Sequence, residues 1–484
     1  MTGMPTDQGK RMHSLDGSSW EGKKVMVAGL ARSGLAAAEL LLRAGAFPVL
    51  YDRLPQNAQG TQLASLLARG CILRAQQDPL PLLSQVDILV ISPGIPLDAP
   101  LVQAAKAREL PWMGELELGS RFARGKLYAL TGTNGKTTTV SLLGEIFRQA
   151  GKIAHVCGNI GYPLSAAALE SREDDILIAE VSSFQMESVT NFHPHIAAVL
   201  NLTPDHLNRH VTMANYARLK KNIFINQDST DYAVLNFDDA STRAMADKLK
   251  AQTVWFSRNA APVPGAYLKD GNICVRLQDG EQTICKAQDL KIPGLHNLDN
   301  ALAAAAIAGL AGVPPAVISY AFRSFAGVEH RIEFVRELDG VRYINDSKGT
   351  NPDASIKALE AMSSATVLLA GGFDKQVSFE QLAQNIAQST LIQHVVLFGQ
   401  TAKQIARALY IAGFNACQVT ATLEEALAAA RSLAQPGYTI LLSPACAPFD
   451  QFTDYEQRGQ RFKELVRALT PEKGTQDAGI AEQT

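Results

Sequence analysis

The sequence predicts an α/β chain of three successive doubly wound domains, each a largely parallel sheet with helices on both faces. Three observations carry this expectation. An apolar run at 127–130 leads through a glycine-containing turn into a helical pattern at 140–147. A strand–turn–helix–strand run occupies residues 24–53. From Val328 onward, strands and helices alternate as far as Leu442. The expected divisions are a loose extension (1–20), a Rossmann-like domain (21–120), a central phosphate-loop domain (121–327), a second Rossmann-like domain (328–470) and a frayed tail (471–484).

At 484 residues the chain is too long for one hydrophobic core. It is 46% hydrophobic and 19% charged, the balance of a soluble globular protein. A formal net charge of −2 provides no electrostatic case for nucleic acid or an anionic membrane as partner. No apolar run reaches the length of a membrane span. The longest candidate, 301–312, is mostly Ala and predicts a close-packed internal helix. The first residues lack an apolar signal region, so a cytoplasmic chain is expected, and a monomer. The six cysteines (71, 157, 274, 285, 417, 446) contain no C-x-x-C pair and read as buried free thiols.

In chain order, Lys24–Ala28 is the first strand, 29–34 a turn, 35–43 a helix and 49–51 the next strand, ending at Asp52 and Arg53. The spacing of Gly29, Ala31 and Gly34 matches a dinucleotide fingerprint whose middle glycine is replaced. That glycine normally lets pyrophosphate approach the backbone. Three readings stay open: a nicotinamide site, another diphosphate on the helix N-terminus, or no ligand. A buried strand at 86–91 then leads to Ser92-Pro93-Gly94.

The central domain opens with Gly132-Thr133-Asn134-Gly135-Lys136-Thr137-Thr138. Backbone N–H groups of such a turn cradle phosphate oxygens; Lys136 would reach the outer phosphates and Thr137 would sit on Mg²⁺. Two residues separate the glycines where the general pattern has four, which predicts a subclass of the loop. Glu180 lies near the end of a strand at 176–181, and His206 lies just past a strand at 196–200. Ligands bind beyond such strand ends in open parallel sheets. Lys220 and Lys221, in a helix at 216–224, read as a solvated basic face on the residues alone. Short strands at 233–235, 253–256 and 273–277 follow. Asn297 and Asn300 share one face at a helix start, where they cap it or read a purine edge.

The last domain alternates strands (341–344, 366–369, 395–398, 438–442) with helices (379–387, 402–410, 423–433). Its strand ends carry Asp346-Ser347-Lys348, Gly371-Gly372-Phe373-Asp374-Lys375 and Ser443-Pro444-Ala445-Cys446. Polar groups gathered at strand ends argue for a site. A polar helix at 450–467 closes the domain.

Taken together, Gly-Thr-Asn-Gly-Lys-Thr (132–137), Cys-Gly-Asn-Ile-Gly (157–161), Glu-Val-Ser-Ser-Phe-Gln (180–185), Thr-Pro-Asp-His (203–206), Pro-Gly-Leu-His-Asn (293–297), Glu-His-Arg (329–331), Asn-Asp-Ser-Lys-Gly-Thr-Asn (345–351) and Ser-Pro-Ala-Cys-Ala (443–447) stand in one order. In these motifs the chain resembles the Mur ligases, over residues 24–468. The Asn-Asp-Ser-Lys run, with no Asp-Asn-Pro-Arg motif, resembles the members that add D-glutamate to UDP-N-acetylmuramoyl-L-alanine. The resemblance implies ATP, two Mg²⁺ ions and an acyl-phosphate intermediate. It implies ATP contacts from Gly132, Thr133, Asn134, Gly135, Lys136, Thr137, Thr138, Asn297, Asn300, Arg331 and Asp346, the last two arriving by domain closure. Thr137, Glu180 and His206 would hold metal, as would Lys220 if carbamylated by CO₂; Lys136, His206 and Lys220 would be catalytic. Leu30, Ala31, Asp52, Arg53, Asn159, Ser182 and Gln185 would bind the UDP-substrate. Lys348, Thr350, Lys375, Phe449 and Tyr455 would receive D-glutamate. One departure is Pro448, where the family carries a serine expected on the D-glutamate carboxylate.

Overall fold

The computed structural model describes residues 20–53, 60–160, 162–205, 210, 212–278, 280–292, 294–375 and 377–471. The chain divides into two compact units, residues 1–290 with 297–325, and residues 291–296 with 326–484.

The first unit contains two sheets. The smaller joins β1 (Lys24–Ala28), β2 (Phe47–Tyr51), β3 (Ile72–Leu73), β4 (Ile88–Ile91) and β5 (Trp112–Gly114), all parallel, in the order β3-β2-β1-β4-β5. Strand order reverses between β1 and β4, the position where such sheets open a crevice. There Gly29 (φ +86°) turns the chain, and Ser92 Oγ donates to its carbonyl at 2.9 Å. A Cβ on Gly34 would lie 1.8 Å from that same oxygen, so only glycine lets the helix Arg32–Arg43 start this close to β1.

The larger sheet runs β14-β13-β12-β11-β10-β9-β6-β8-β7. Its strands are β6 (Lys126–Thr131), β7 (Ala154–Gly158), β8 (Ile176–Glu180), β9 (Ile196–Val199), β10 (Tyr232–Asn236), β11 (Gln252–Ser257), β12 (Gly265–Lys269), β13 (Asn272–Leu277) and β14 (Gly280–Lys286). From β7 across to β12 the pairs are parallel; β13 and β14 extend the sheet antiparallel. Helices cover both faces, so β8 and β9 are buried along their whole length and read as continuous apolar runs. The Ala-rich helix is Leu295–Leu310, and Ala301, Ala303, Ala304, Ala305, Ala306 and Ala308 are fully buried. Their small side chains let it share one core with Leu130, Val234 and Phe256.

Within this unit the helix Glu115–Phe122 binds the smaller sheet to the larger, so the expected boundary at residue 120 falls inside it. The Glu117 carboxylate is completely buried and accepts N–H bonds from Thr190, Asn191 and Phe192, with Arg121 as ion-pair partner. Gly119 lies where a Cβ would meet Ser165 N at 2.6 Å.

The second unit holds β15 (Glu333–Leu338), β16 (Val341–Asn345), β17 (Thr366–Gly371), β18 (Ile392–Phe398), β19 (Cys417–Val419) and β20 (Thr439–Leu442), ordered β15-β16-β20-β17-β18-β19. Among these strands only β15 pairs antiparallel. Its closing helix is Tyr455–Ala468, shorter at its start than expected because Asp454 caps it by accepting from Gln457 N. Among the described residues, no helix is long and apolar enough to cross a membrane.

Candidate active site

Parallel pairing sets the site. Leu130 stands opposite Glu180, Glu180 opposite Gly158, and Thr131 opposite Val199, so β6, β7, β8 and β9 end side by side. The residues that follow these ends are polar and converge on the phosphate loop.

The loop leaves β6 at Gly132 (φ +152°) and enters the helix Lys136–Gln149 at Gly135 (φ +83°). The helix starts four residues before the apolar pattern does, so the first-turn threonines belong to it. Thr137 and Thr138 are buried, and the Thr137 hydroxyl donates to Glu180 Oε2 at 2.7 Å. Asn159 Nδ2 donates to the other Glu180 oxygen at 2.9 Å. Lys136 Nζ folds back on the Gly132 and Thr133 carbonyls, at 2.9 and 2.7 Å. Asn134 is clamped through both backbone groups: its N–H donates to Asn201 Oδ1 and its carbonyl accepts from Asn201 Nδ2. A Cβ on Gly135 would come within 2.1 Å of Asn300 Oδ1, so Asn300 lies directly on the loop, and Asn300 in turn donates to Asn297.

Lys220 is not on a solvated face. Its helix, Met213–Lys221, begins earlier than the apolar pattern suggests because Thr212 caps it, and the turn presents Lys220 inward. The residue is 2% exposed; Nζ donates to Gly132 O at 2.8 Å and Thr131 Oγ1 at 3.1 Å, and lies 4.7 Å from the Tyr216 ring centre. Burial, with the Lys136 charge added, holds its ammonium well below the usual lysine range, against the pull of Asp205 and Glu180. His206 lies outside the described residues.

Asp52 and Leu30 meet at the end of the smaller sheet, where Leu30 N donates to Asp52 Oδ2 at 2.7 Å. Asp52 thus fixes the turn that carries Ala31, the cap of Arg32–Arg43. Arg53 is exposed. Gln185 Oε1 accepts from both the N–H and the hydroxyl of Ser182.

The second unit gathers its own polar cluster at strand ends. Asp346 is fully buried after β16; it accepts from Ser443 Oγ at 2.7 Å and from Ile332 N, with Arg331 at 3.7 Å. Burial raises its pKa to about 6, with Arg331 and Ser443 opposing. Lys348 Nζ donates to the Tyr455 hydroxyl at 3.2 Å, and Lys375 Nζ to Thr350 O at 3.4 Å. Phe449 is 61% exposed and meets Phe373 edge-on. Pro448 is buried, and its carbonyl accepts from Gln451 and Phe452.

Three residues were not singled out from sequence. Asn201 carried the same strand-end signal as Glu180. Tyr216, which floors Lys220 and lies 3.3 Å from Thr133 Oγ1, carried no signal beyond its place in a helix. Arg458 is fully buried and donates to Ser347 and Cys446 carbonyls, beneath the Asp346-Ser347-Lys348 turn. Nothing in its polar helix signals that.

Comparison with known proteins places the chain in a family. Residues 23–114 match the Mur ligase MurD-like N-terminal domain, 130–308 the Mur ligase middle domain and 330–446 the Mur ligase glutamate ligase domain. The chain is 43% identical over 451 residues to the UDP-N-acetylmuramoylalanine–D-glutamate ligase of Thermoanaerobacter sp. (strain X514), covering 93% of this chain and 99% of that one. It is 44% identical over 449 residues to the ligase of the same name from Alkaliphilus metalliredigens, covering 92% and 98%. The fold is shared with the crystal structure of MurF from Acinetobacter baumannii (TM-score 0.60, 21% identity, 86% and 90% covered). It is shared too with UDP-N-acetylmuramate-alanine ligase from Thermotoga maritima (TM-score 0.59, 19% identity, 92% and 99% covered). The chain belongs to the Mur ligase family.

Proposed function

We propose that this protein joins D-glutamate to UDP-N-acetylmuramoyl-L-alanine with conversion of ATP to ADP and phosphate, a step of peptidoglycan precursor synthesis. The observation that carries the reading is the convergence of Lys136, Thr137, Asn159, Glu180 and Lys220 on one glycine loop at the ends of β6, β7 and β8. Near-full-length identity to ligases of that name supports the substrate assignment.

A carboxylate resists attack by an amine because it is already an anion. Transfer of the γ-phosphoryl group to the L-alanyl carboxylate gives an acyl phosphate; the D-glutamate nitrogen adds to its carbonyl, and phosphate leaves as the amide forms. The chain's contribution is to position these groups and neutralise charge. Loop N–H groups and Lys136 take the phosphates, and Asn297 and Asn300 the adenine side. Leu30, Ala31, Asp52 and Arg53 take the UDP group, with Asn159, Ser182 and Gln185 on the muramoyl-alanine portion. In the second unit, Arg331 and Asp346 are assigned to ATP, and Lys348, Thr350, Lys375, Phe449 and Tyr455 to D-glutamate.

The Thr137 hydroxyl beside the buried Glu180 carboxylate is a hard oxygen donor pair that fits Mg²⁺. Thr137, Glu180 and His206, with Lys220 if carbamylated, would hold Mg²⁺, which would supply charge neutralisation at the phosphates. Burial that favours a neutral Lys220 amine supports the carbamate, since only the uncharged nitrogen adds CO₂.

The test is an amino-acid screen with ATP and UDP-N-acetylmuramoyl-L-alanine. Product and stoichiometric ADP with D-glutamate support the assignment. Preferred product with another amino acid overturns the acceptor, and NAD(P) turnover without ATP-dependent ligation overturns the class.

A further inference from the structure

The opposite edge of the large sheet, where β9 and β10 begin, carries a cluster of histidine and aspartate side chains. His193-Pro194-His195 precedes β9, and the turn Asp228 to Asp231 precedes β10. Because these strands are parallel neighbours, the two segments meet. His193 Nε2 lies 2.6 Å from Asp231 Oδ2, and His195 Nδ1 lies 3.1 Å from Asp231 Oδ1. The ligand atoms of His193, Asp228 and Asp231 all lie within 4.8 Å of one another.

The scaffold beneath them is locked. Gln227 Nε2 donates to both Pro194 O and Tyr232 O, and Tyr232 N donates to His195 O. Asp228 N donates to Asp231 Oδ2 at 2.9 Å, which orients the buried carboxylate. The Asp231 side chain is 5% exposed while that of His193 is 44% exposed, so solvent reaches one side of a group whose other side is fixed. Another mixed group, Glu329, His330 and Glu333, differs in kind: the Lys463 ammonium already bridges its two carboxylates.

We propose that His193, Asp228 and Asp231 bind a divalent transition ion of the zinc class, with His195 as a positioning residue. Imidazole nitrogen with two carboxylates suits Zn²⁺, Co²⁺ or Ni²⁺ and not Mg²⁺, which takes oxygen ligands. His195 holds one oxygen of Asp231 and leaves the other to the ion, the usual arrangement behind a metal-ligating group. The ion takes the Nε2 lone pair of His193, whose proton stays on Nδ1 or passes to solvent. Tetrahedral ligands sit about 3.3 Å apart at zinc distances, so the His193–Asp231 pair, now at 2.6 Å, opens slightly as the ion enters, an adjustment that the exposed His193 ring can make. The site is separated from the phosphate loop by the length of β9, roughly 13 Å. It therefore fastens the entries of two central strands and takes no part in the chemistry.

Full-length protein in excess Mg²⁺ is titrated with Co²⁺, followed by visible d–d absorption, and with Zn²⁺, followed by calorimetry and melting temperature. The expected result is one equivalent bound, with a rise in melting temperature. His193→Gln weakens binding by roughly a hundredfold or more, and His195→Gln by about tenfold. Asp228→Asn keeps the Oδ1 acceptor for Thr230 N and Oγ1, so it retains the turn while repeating the His193→Gln loss, and ligase activity in Mg²⁺ alone is unchanged in all three. Binding of equal stoichiometry and affinity in His193→Gln and Asp228→Asn overturns the proposal, as does the absence of both d–d bands and heat in the unaltered protein.

Discussion

Lys220 shows how far a residue's surroundings can reverse its character. The same amine that would be a solvated cation on an open helix is desolvated here, against Tyr216 and the Gly132 carbonyl. If its working form is an anionic carbamate, the missing function is a carboxylate, and a small one can stand in. Lys220→Ala should lower turnover by roughly a hundredfold or more, and formate or acetate should restore part of it. A fully active Lys220→Ala enzyme would end the carbamate reading. Glu115 is a second displaced group. Its Oε1 accepts from Ser165 N at 2.7 Å, its Oε2 has no hydrogen-bond partner among the described residues, and burial raises its pKa from 4.5 to about 7. The folded state therefore binds a proton that the unfolded state releases between these values. Stability falls as pH rises through that window, by on the order of 3 kcal/mol for this one group. Melting curves at about pH 5 to pH 8 should show that fall in the unaltered protein, and Glu115→Gln should lose most of it. Parallel pH profiles for the two proteins would contradict the assignment.

At the scale of elements, the phosphate loop depends on one backbone position. Gly135 holds φ +83° with Asn300 against it. Alanine there costs about 1–2 kcal/mol in conformation alone, and its methyl displaces Asn300. Gly135→Ala should raise the KM for ATP at least roughly tenfold while the melting temperature moves little; an unchanged KM would show that the loop tolerates a side chain. Much of this geometry was legible beforehand, because strand, glycine, Lys, Thr and a downstream strand-end Glu lie in a fixed order. Apolar runs located the buried strands, since a strand covered on both faces has no other signature; β8 was read to within one residue. Elements with weak or mixed patterns escaped. The helix Glu115–Phe122 was not read, because two of its buried residues are glutamates whose hydrogen-bond partners lie some 50 to 75 positions away. Lys220 was misread on the residues alone for the same reason: an inward lysine needs a tertiary environment that helical spacing does not encode. The resemblance, not the pattern, pointed to it.

For the whole molecule, the nine-stranded sheet is the platform. Its C-terminal edge carries the phosphate loop, and its N-terminal edge carries the His193, Asp228 and Asp231 group. The smaller sheet is bound to it through Glu117, whose completely buried carboxylate spends its oxygens on backbone N–H groups of the partner loop. That seam holds Leu30, Asp52 and the phosphate loop in one compact unit. With a net charge of −2, specificity for anionic substrates must come from these local N–H groups and cations, not from the field of the whole protein. In the proposed reaction, ATP activates the substrate carboxylate by phosphorylating it. The most direct measurement supplies UDP-N-acetylmuramoyl-L-alanine labelled with ¹⁸O in its terminal carboxylate, together with ATP and D-glutamate, and reads the label in the products by mass spectrometry. Transfer of one labelled oxygen to inorganic phosphate for each amide formed is the predicted result; amide formation with unlabelled phosphate, or with label in AMP, would contradict it.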